Sequence, residues 1–252
     1  KAAMSRIVLE VCVDDTAGIA AAAAGGADRI ELCSALALGG LTPSAGLMGI
    51  AGPLPAHVMI RPRAGDFCWS AAERDAMVAD IAAARAAGMA GVVVGASCPD
   101  GSLDRDCLSE LVAAAEGMQI TLHRAIDLVP DVREAMAICA DLGIARVLSS
   151  GAEARALDGI ARLSAMAGHG VTVMPGGGVS ATNAAEFAHR LPWLSEIHAS
   201  CSVALPPPAN PKITAFGFQP PGARATDVGL VRQLRSVLDQ IGAARPAGWT
   251  AS

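Results

Sequence analysis

The chain has 252 residues, 52% of them hydrophobic and only 3% aromatic, with no Tyr and a formal net charge of −5. That supplies a full core of small aliphatic residues, and the two Lys, Lys1 and Lys212, with no Lys/Arg run, leave no basic footprint for nucleic acid or an anionic membrane. No apolar run reaches the ~20 residues of a spanning helix, and seven singly scattered Cys read as reduced cytoplasmic thiols rather than a disulfide framework.

Ile7–Val13 is the first predicted strand; it is short and carries Glu10 and Cys12, so it reads as a strand rather than as the apolar stretch of a signal peptide. Met4 reads as the native start, with Lys1, Ala2 and Ala3 left ahead of it and residues 1–5 disordered. Asp14 is expected to cap a helix that Gly25-Gly26 closes. Arg29–Cys33 is the second strand, followed by the loop Gly39–Ser44 and a short helix near 44–51. Ala56–Arg61 is the third. Ser70 and Glu73 form a capping box for a helix to Ala87. Gly91–Gly95 is the fourth strand, then a helix from Asp104 to Glu116. Gln119–His123 is the fifth, with a helix over Asp131–Leu142. Arg146–Ser149, Val171–Met174 and Glu196–His198 are the remaining strands, with helices near 153–167, 182–189 and 227–241.

Alternating strands and helices imply a parallel sheet. Eight units in a chain of this length predict a single (β/α)8 barrel, one domain over 1–252. A doubly wound open sheet is the runner-up, weakened by the missing G-x-G-x-x-G after the first strand. Residues 201–225 break the rhythm with Pro206, Pro207, Pro208, Pro211, Pro220 and Pro221. This long loop after the last strand reads either as a lid or subunit contact, or as a loose crossover.

In such a barrel the strand C-termini build the site. Candidates for acid–base chemistry are Glu10, Glu31, His123 and Asp127, with His123 as the general acid or base and Glu10 as its partner. Arg61, Arg63 and Arg124 are candidate anion holders. Ser150, Gly176, Gly177, Gly178, His198 and Ser200 lie at or just after the ends of the sixth to eighth strands, where backbone N–H groups form phosphate cups. The alternatives stay open: Glu10 and Glu31 read equally as charge partners of Arg61 and Arg124 that fill the barrel, and the glycines as residues of a tight turn. Cys12 and Cys33 sit in a repeated Glu-x-Cys pattern on neighbouring strands and are candidate thiolates for Cu(I), with Met59 nearby. Cys107 and Cys139 fall on helices and read as packing, and His57 points to the stability face.

At LEVCVD (9–14), GGADRIELCS (25–34), GGLTPS (39–44), VMIRPR (58–63), GDFCWS (65–70), LHRAID (122–127), SSG (149–151) and MPGGGV (174–179) the chain resembles the CutC copper-homeostasis family. His198–Ser200 and Ala225–Asp227 extend the match, which runs from about Arg6 to Ile241. The resemblance implies a TIM barrel in the cytoplasm, homo-oligomers (dimer or tetramer) and copper homeostasis, with Cu(I) ligands at Cys12 and Cys33 and no organic cofactor. Trp69 and Ile126 depart from it, where Tyr and Phe are common. Beside it stands a second reading from the residues: a lyase, isomerase or hydrolase acting on a small phosphorylated or carboxylated metabolite.

Overall fold

The computed structural model describes residues 6–245; the reading of residues 1–5 lies outside them. Each of the first eight strands is a short apolar segment that ends in a helix-capping or glycine-rich loop. They are β1 (Val8–Val13), β2 (Arg29–Leu32), β3 (Ala56–Met59), β4 (Gly91–Val94), β5 (Gln119–Leu122), β6 (Arg146–Ser149), β7 (Thr172–Pro175) and β8 (Glu196–Ala199). Every pairing is parallel, in the order β7-β6-β5-β4-β3-β2-β1-β8. A parallel bridge between Gly176 and His198 joins the two ends. The fold is the expected (β/α)8 barrel, and the open sheet is set aside.

The helices wrap the outside: α1 (Thr16–Gly25), α2 (Ala45–Met48), α3 (Ala71–Ala86), α4 (Arg105–Ala114), α5 (Val132–Asp141), α6 (Ile160–Met166), α7 (Ala184–Arg190), α8 (Lys212–Ala215) and α9 (Val228–Ala244). Strand residues alternate between two faces. Outward residues such as Leu9, Ile30 and Leu122 are fully buried in one large apolar cluster with the helices. Cys107 of α4 and Cys139 of α5 are buried there, as expected for packing. α9 sets Val231, Leu234 and Leu238 into this layer and packs on α1 and α7. Gly25 is required at that crossing, because a Cβ there would lie 2.4 Å from Val231 Cβ.

Local details differ from the sequence reading. Asp15, not Asp14, caps α1 by accepting from the Gly18 N–H. Asp14 instead accepts from the Leu36 N–H and anchors the loop after β2. The sixth helix starts at Ile160 rather than near 153, because the backbone of 150–152 is held by Asp127 and Ala156 N–H donates to Gly177 O. Residues 201–225 are not structureless. β9 (Ser202–Ala204) and β10 (Arg224–Thr226) form an antiparallel ribbon, with α8 between them.

Candidate functional site

Inward residues recur every second position along each strand. The lower layer of the barrel is a closed ionic network. Glu10 is 0% exposed and accepts from Arg29 Nε and, at 2.8 Å, pairs with His198 Nδ1. Arg29 also donates to Glu196 at 2.6 Å, and Arg146 Nε donates to the same carboxylate at 2.9 Å. His57 lies 4.0 Å from Glu10 and 3.4 Å from Thr121 Oγ1. Burial would raise the Glu10 carboxyl, but the His198 hydrogen bond and the charges of Arg29 and His198 outweigh it and hold it well below the usual range. Burial pushes His57 down to about 4, so at neutral pH it is uncharged.

This network corrects the role given to Glu10. It touches no part of His123, and its arginine partner is Arg29 rather than Arg61 or Arg124. Arg29, Arg146, Glu196 and Thr121 were missed in the sequence. A signal existed: Arg29, Glu31 and Cys33 share one face, as do Glu196, His198 and Ser200.

Above this floor the mouth opens. The register sets Cys12 opposite Glu31, and Glu10 opposite Arg29. The two Glu-x-Cys repeats are therefore displaced by one inward step, and Cys12 is not level with Cys33. One ligand atom each from Cys12, Glu31 and His198 lie within 4.8 Å of one another. His198 Nε2 faces Glu31 at 3.9 Å while its Nδ1 is fixed by Glu10. Burial opposes protonation of His198, but Glu31, Cys12 and Glu10 raise it well above its ordinary value. Burial, with the charge of Glu10 adding, raises the Glu31 carboxyl. One of its oxygens, Oε1, is buried without a hydrogen-bond partner. Cys33 stands outside the trio. It is fully buried, packs with Met59 and Val93, and donates to Glu31. Burial and then Glu31 lift its thiol well above the ordinary value.

A cavity of about 330 Å³ lies over these residues, lined by Cys12, Glu31, Met59, Arg61, Phe67, Leu148 and His198, among others. His123 lines it too and is only 4% exposed. Its Nδ1 accepts from the Ala125 N–H at 3.1 Å, so in the neutral ring the proton sits on Nε2. Burial and then the Arg61 charge push it down to about 3. A ring of that kind is a poor general base at neutral pH. Its room comes from Gly95, where a Cβ would lie 2.1 Å from His123 Cε1. Arg61 is 7% exposed, and its fork donates to the carbonyls of Leu38, Gly40 and Gly65. Among the described residues it forms no ion pair with a carboxylate.

The expected anion cup is already occupied by the protein. Asp127 accepts from Ser149 Oγ, from Ser150 N and Oγ, from the Ala152 N–H and from Arg124 Nε. Burial opposes its ionisation, but these donors hold the carboxyl below its usual value. Asp127 is thus an internal anion that shapes the loop after β6, and Arg124 is paired to it rather than free. Arg63 is also engaged, by Glu73 and Asp66, and stacks on Trp69. Gly176 donates its N–H to Ser149 O, and a Cβ there would meet Leu148 at 2.5 Å. Gly177 and Gly178 take φ of +117° and +72°, so glycine is needed for the turn itself. Ser200 accepts from Ser202 and lines a neighbouring cavity of about 630 Å³ between residues 35–38 and the ribbon. That cavity meets the mouth at Cys12, Leu36 and Leu38.

The family model described as CutC matches residues 7–203. The chain belongs to the CutC family. A CutC family protein of Sinorhizobium medicae is 50% identical over 246 residues, spanning 95% of this chain and 99% of its own length. One from Caulobacter vibrioides is 50% identical over 235 residues, covering 90% of this chain and 95% of its own. Among solved structures, a CutC of Streptococcus agalactiae, whose name refers to copper homeostasis, superposes with a TM-score of 0.73 at 26% identity, over 77% of this chain and 98% of that one. In this CutC chain the ribbon strand β10 and helix α9 lie beyond the stretch that the family model matches. No helix among the described residues is long and apolar enough to cross a membrane.

Proposed function

We propose that this protein serves copper homeostasis and takes one Cu(I) ion as cargo at the mouth of its barrel. The observation that carries this is the trio Cys12, Glu31 and His198, with three potential donor atoms within 4.8 Å. The donor chemistry fits: thiolate suits a soft ion and imidazole suits copper. The unpartnered Oε1 of Glu31 is a buried acceptor in the same place. Glu10 is a positioning residue here, since it fixes His198 through Nδ1 and leaves Nε2 turned to the trio. The name of the Streptococcus agalactiae relative points the same way. We place the protein in the cytoplasm, in keeping with seven free cysteines, and as a homo-oligomer.

The reading differs from a Cys12–Cys33 thiolate pair. Competitive Cu(I) titration against a chromogenic chelator separates them. Cys12→Ser is expected to lose more affinity than the ~10–100-fold typical of an outer-partner mutation, while Cys33→Ser stays close to wild type. Equal affinity of wild type and Cys12→Ser would sink the proposal.

A further inference from the structure

We propose that the barrel mouth is also a binding site for a small organic carboxylate, held by its charged end between Arg61 and His123 Nε2–H, with its carbon chain along Phe67, Met59 and Leu148.

Four observations carry this. First, Arg61 is a buried cation whose partners are neutral carbonyls; among the described residues no carboxylate pairs with it. A buried charge is costly unless paired, and an anion entering the mouth supplies the missing pair. Second, His123 is a buried donor with no acceptor. Its Nδ1 is taken by Ala125 N–H, and Nε2 has no hydrogen-bond partner. Third, both groups pack on one ring. Phe67 lies 4.6 Å from the His123 ring and 5.2 Å from the Arg61 guanidinium carbon, and all three residues line the same cavity. Fourth, the cavity volume of about 330 Å³ lies at the small end of ligand pockets, and its remaining wall includes Met59, Leu148, Leu36 and Leu38.

The same observations favour a carboxylate over a phosphate. A phosphate cradle needs several convergent backbone N–H groups, and those of residues 150–152 are consumed by Asp127 and Ser149. One cation and one N–H donor match a monoanion. The apolar wall matches an organic body rather than an inorganic ion. The inference does not rest on the copper reading, because Arg61 and His123 are outside the metal trio.

The test is calorimetric titration of chelator-treated protein with butyrate and, separately, with inorganic phosphate at matched ionic strength. Wild type is expected to bind butyrate saturably and phosphate not at all. His123→Phe keeps the ring that fills the space over Gly95 and removes the donor, and it is expected to weaken butyrate binding by about tenfold or more, as loss of one charge-assisted hydrogen bond implies. A long-range ¹H–¹⁵N spectrum of histidine-labelled wild type needs no variant: butyrate is expected to shift the His123 Nε2 resonance. Absence of saturable butyrate binding, equal binding by His123→Phe, or tighter binding of phosphate overturns the proposal. Cu(I) titration of the same samples reads the metal site separately.

Discussion

The floor and the mouth of this barrel are built from the same residue types and end in different states. In the floor, Glu10, Arg29, Glu196 and Arg146 satisfy one another, and among the described residues only Arg146 Nη1 is left there without a partner. In the mouth, Glu31 Oε1, Arg61 Nε and His123 Nε2 are all buried and unmatched. Matched charge inside a protein specifies structure; unmatched charge beside a cavity leaves work for a ligand. His198 joins the layers, tied to Glu10 below and facing Glu31 above.

The largest expected effect breaks the floor. Arg29→Met leaves Glu10 and Glu196 buried without their shared cation, and is expected to cost ~3–5 kcal/mol, read as a lower midpoint in urea. A loss below ~1 kcal/mol would show that the floor is not the structural half. Next, Gly95→Ala drives a methyl into His123 and is expected to cost ~1–3 kcal/mol, together with a displaced His123 side chain in a crystal structure. Unchanged stability would mean that the mouth is loosely packed.

The third prediction uses pH. His123 is held down to about 3 against an ordinary value of 6.5. Between those values the unfolded chain binds the extra proton, so the stability His123 contributes is complete above pH 6.5 and is lost as pH falls below it. The slope is up to ~1.4 kcal/mol per pH unit. His123→Phe is expected to remove that share of the slope, measured as the difference in unfolding free energy from wild type between pH 7 and 4.5. Parallel curves would contradict it. The smallest effect on folding falls on Glu31→Gln, whose buried carboxyl already resists ionisation. Its stability is expected to stay within ~1 kcal/mol, while Cu(I) affinity drops.

The barrel was legible in the sequence because eight short apolar runs alternate with capped helices, and their places at strand C-termini marked Glu31, His123 and His198 as candidates for the barrel mouth. The pairing was not legible. Arg29 finds Glu196 across 167 positions of sequence and Arg146 finds Glu196 across 50, and only ring closure sets those strands near one another. Asp127 follows a strand end, and position alone makes it a candidate for acid–base chemistry. Four of its five donors come from the end of β6 and the loop after it, a tertiary arrangement that spacing does not encode; only Arg124 is a near neighbour in the chain. The offset between Cys12 and Cys33 is a matter of barrel stagger, which a repeated motif hides.

X-ray absorption at the copper edge of Cu(I)-loaded protein tests the central claim most directly. The account expects a first shell with a single sulfur and an imidazole nitrogen, the signature of Cys12 with His198. A shell of two sulfurs without nitrogen would contradict it and restore the cysteine pair.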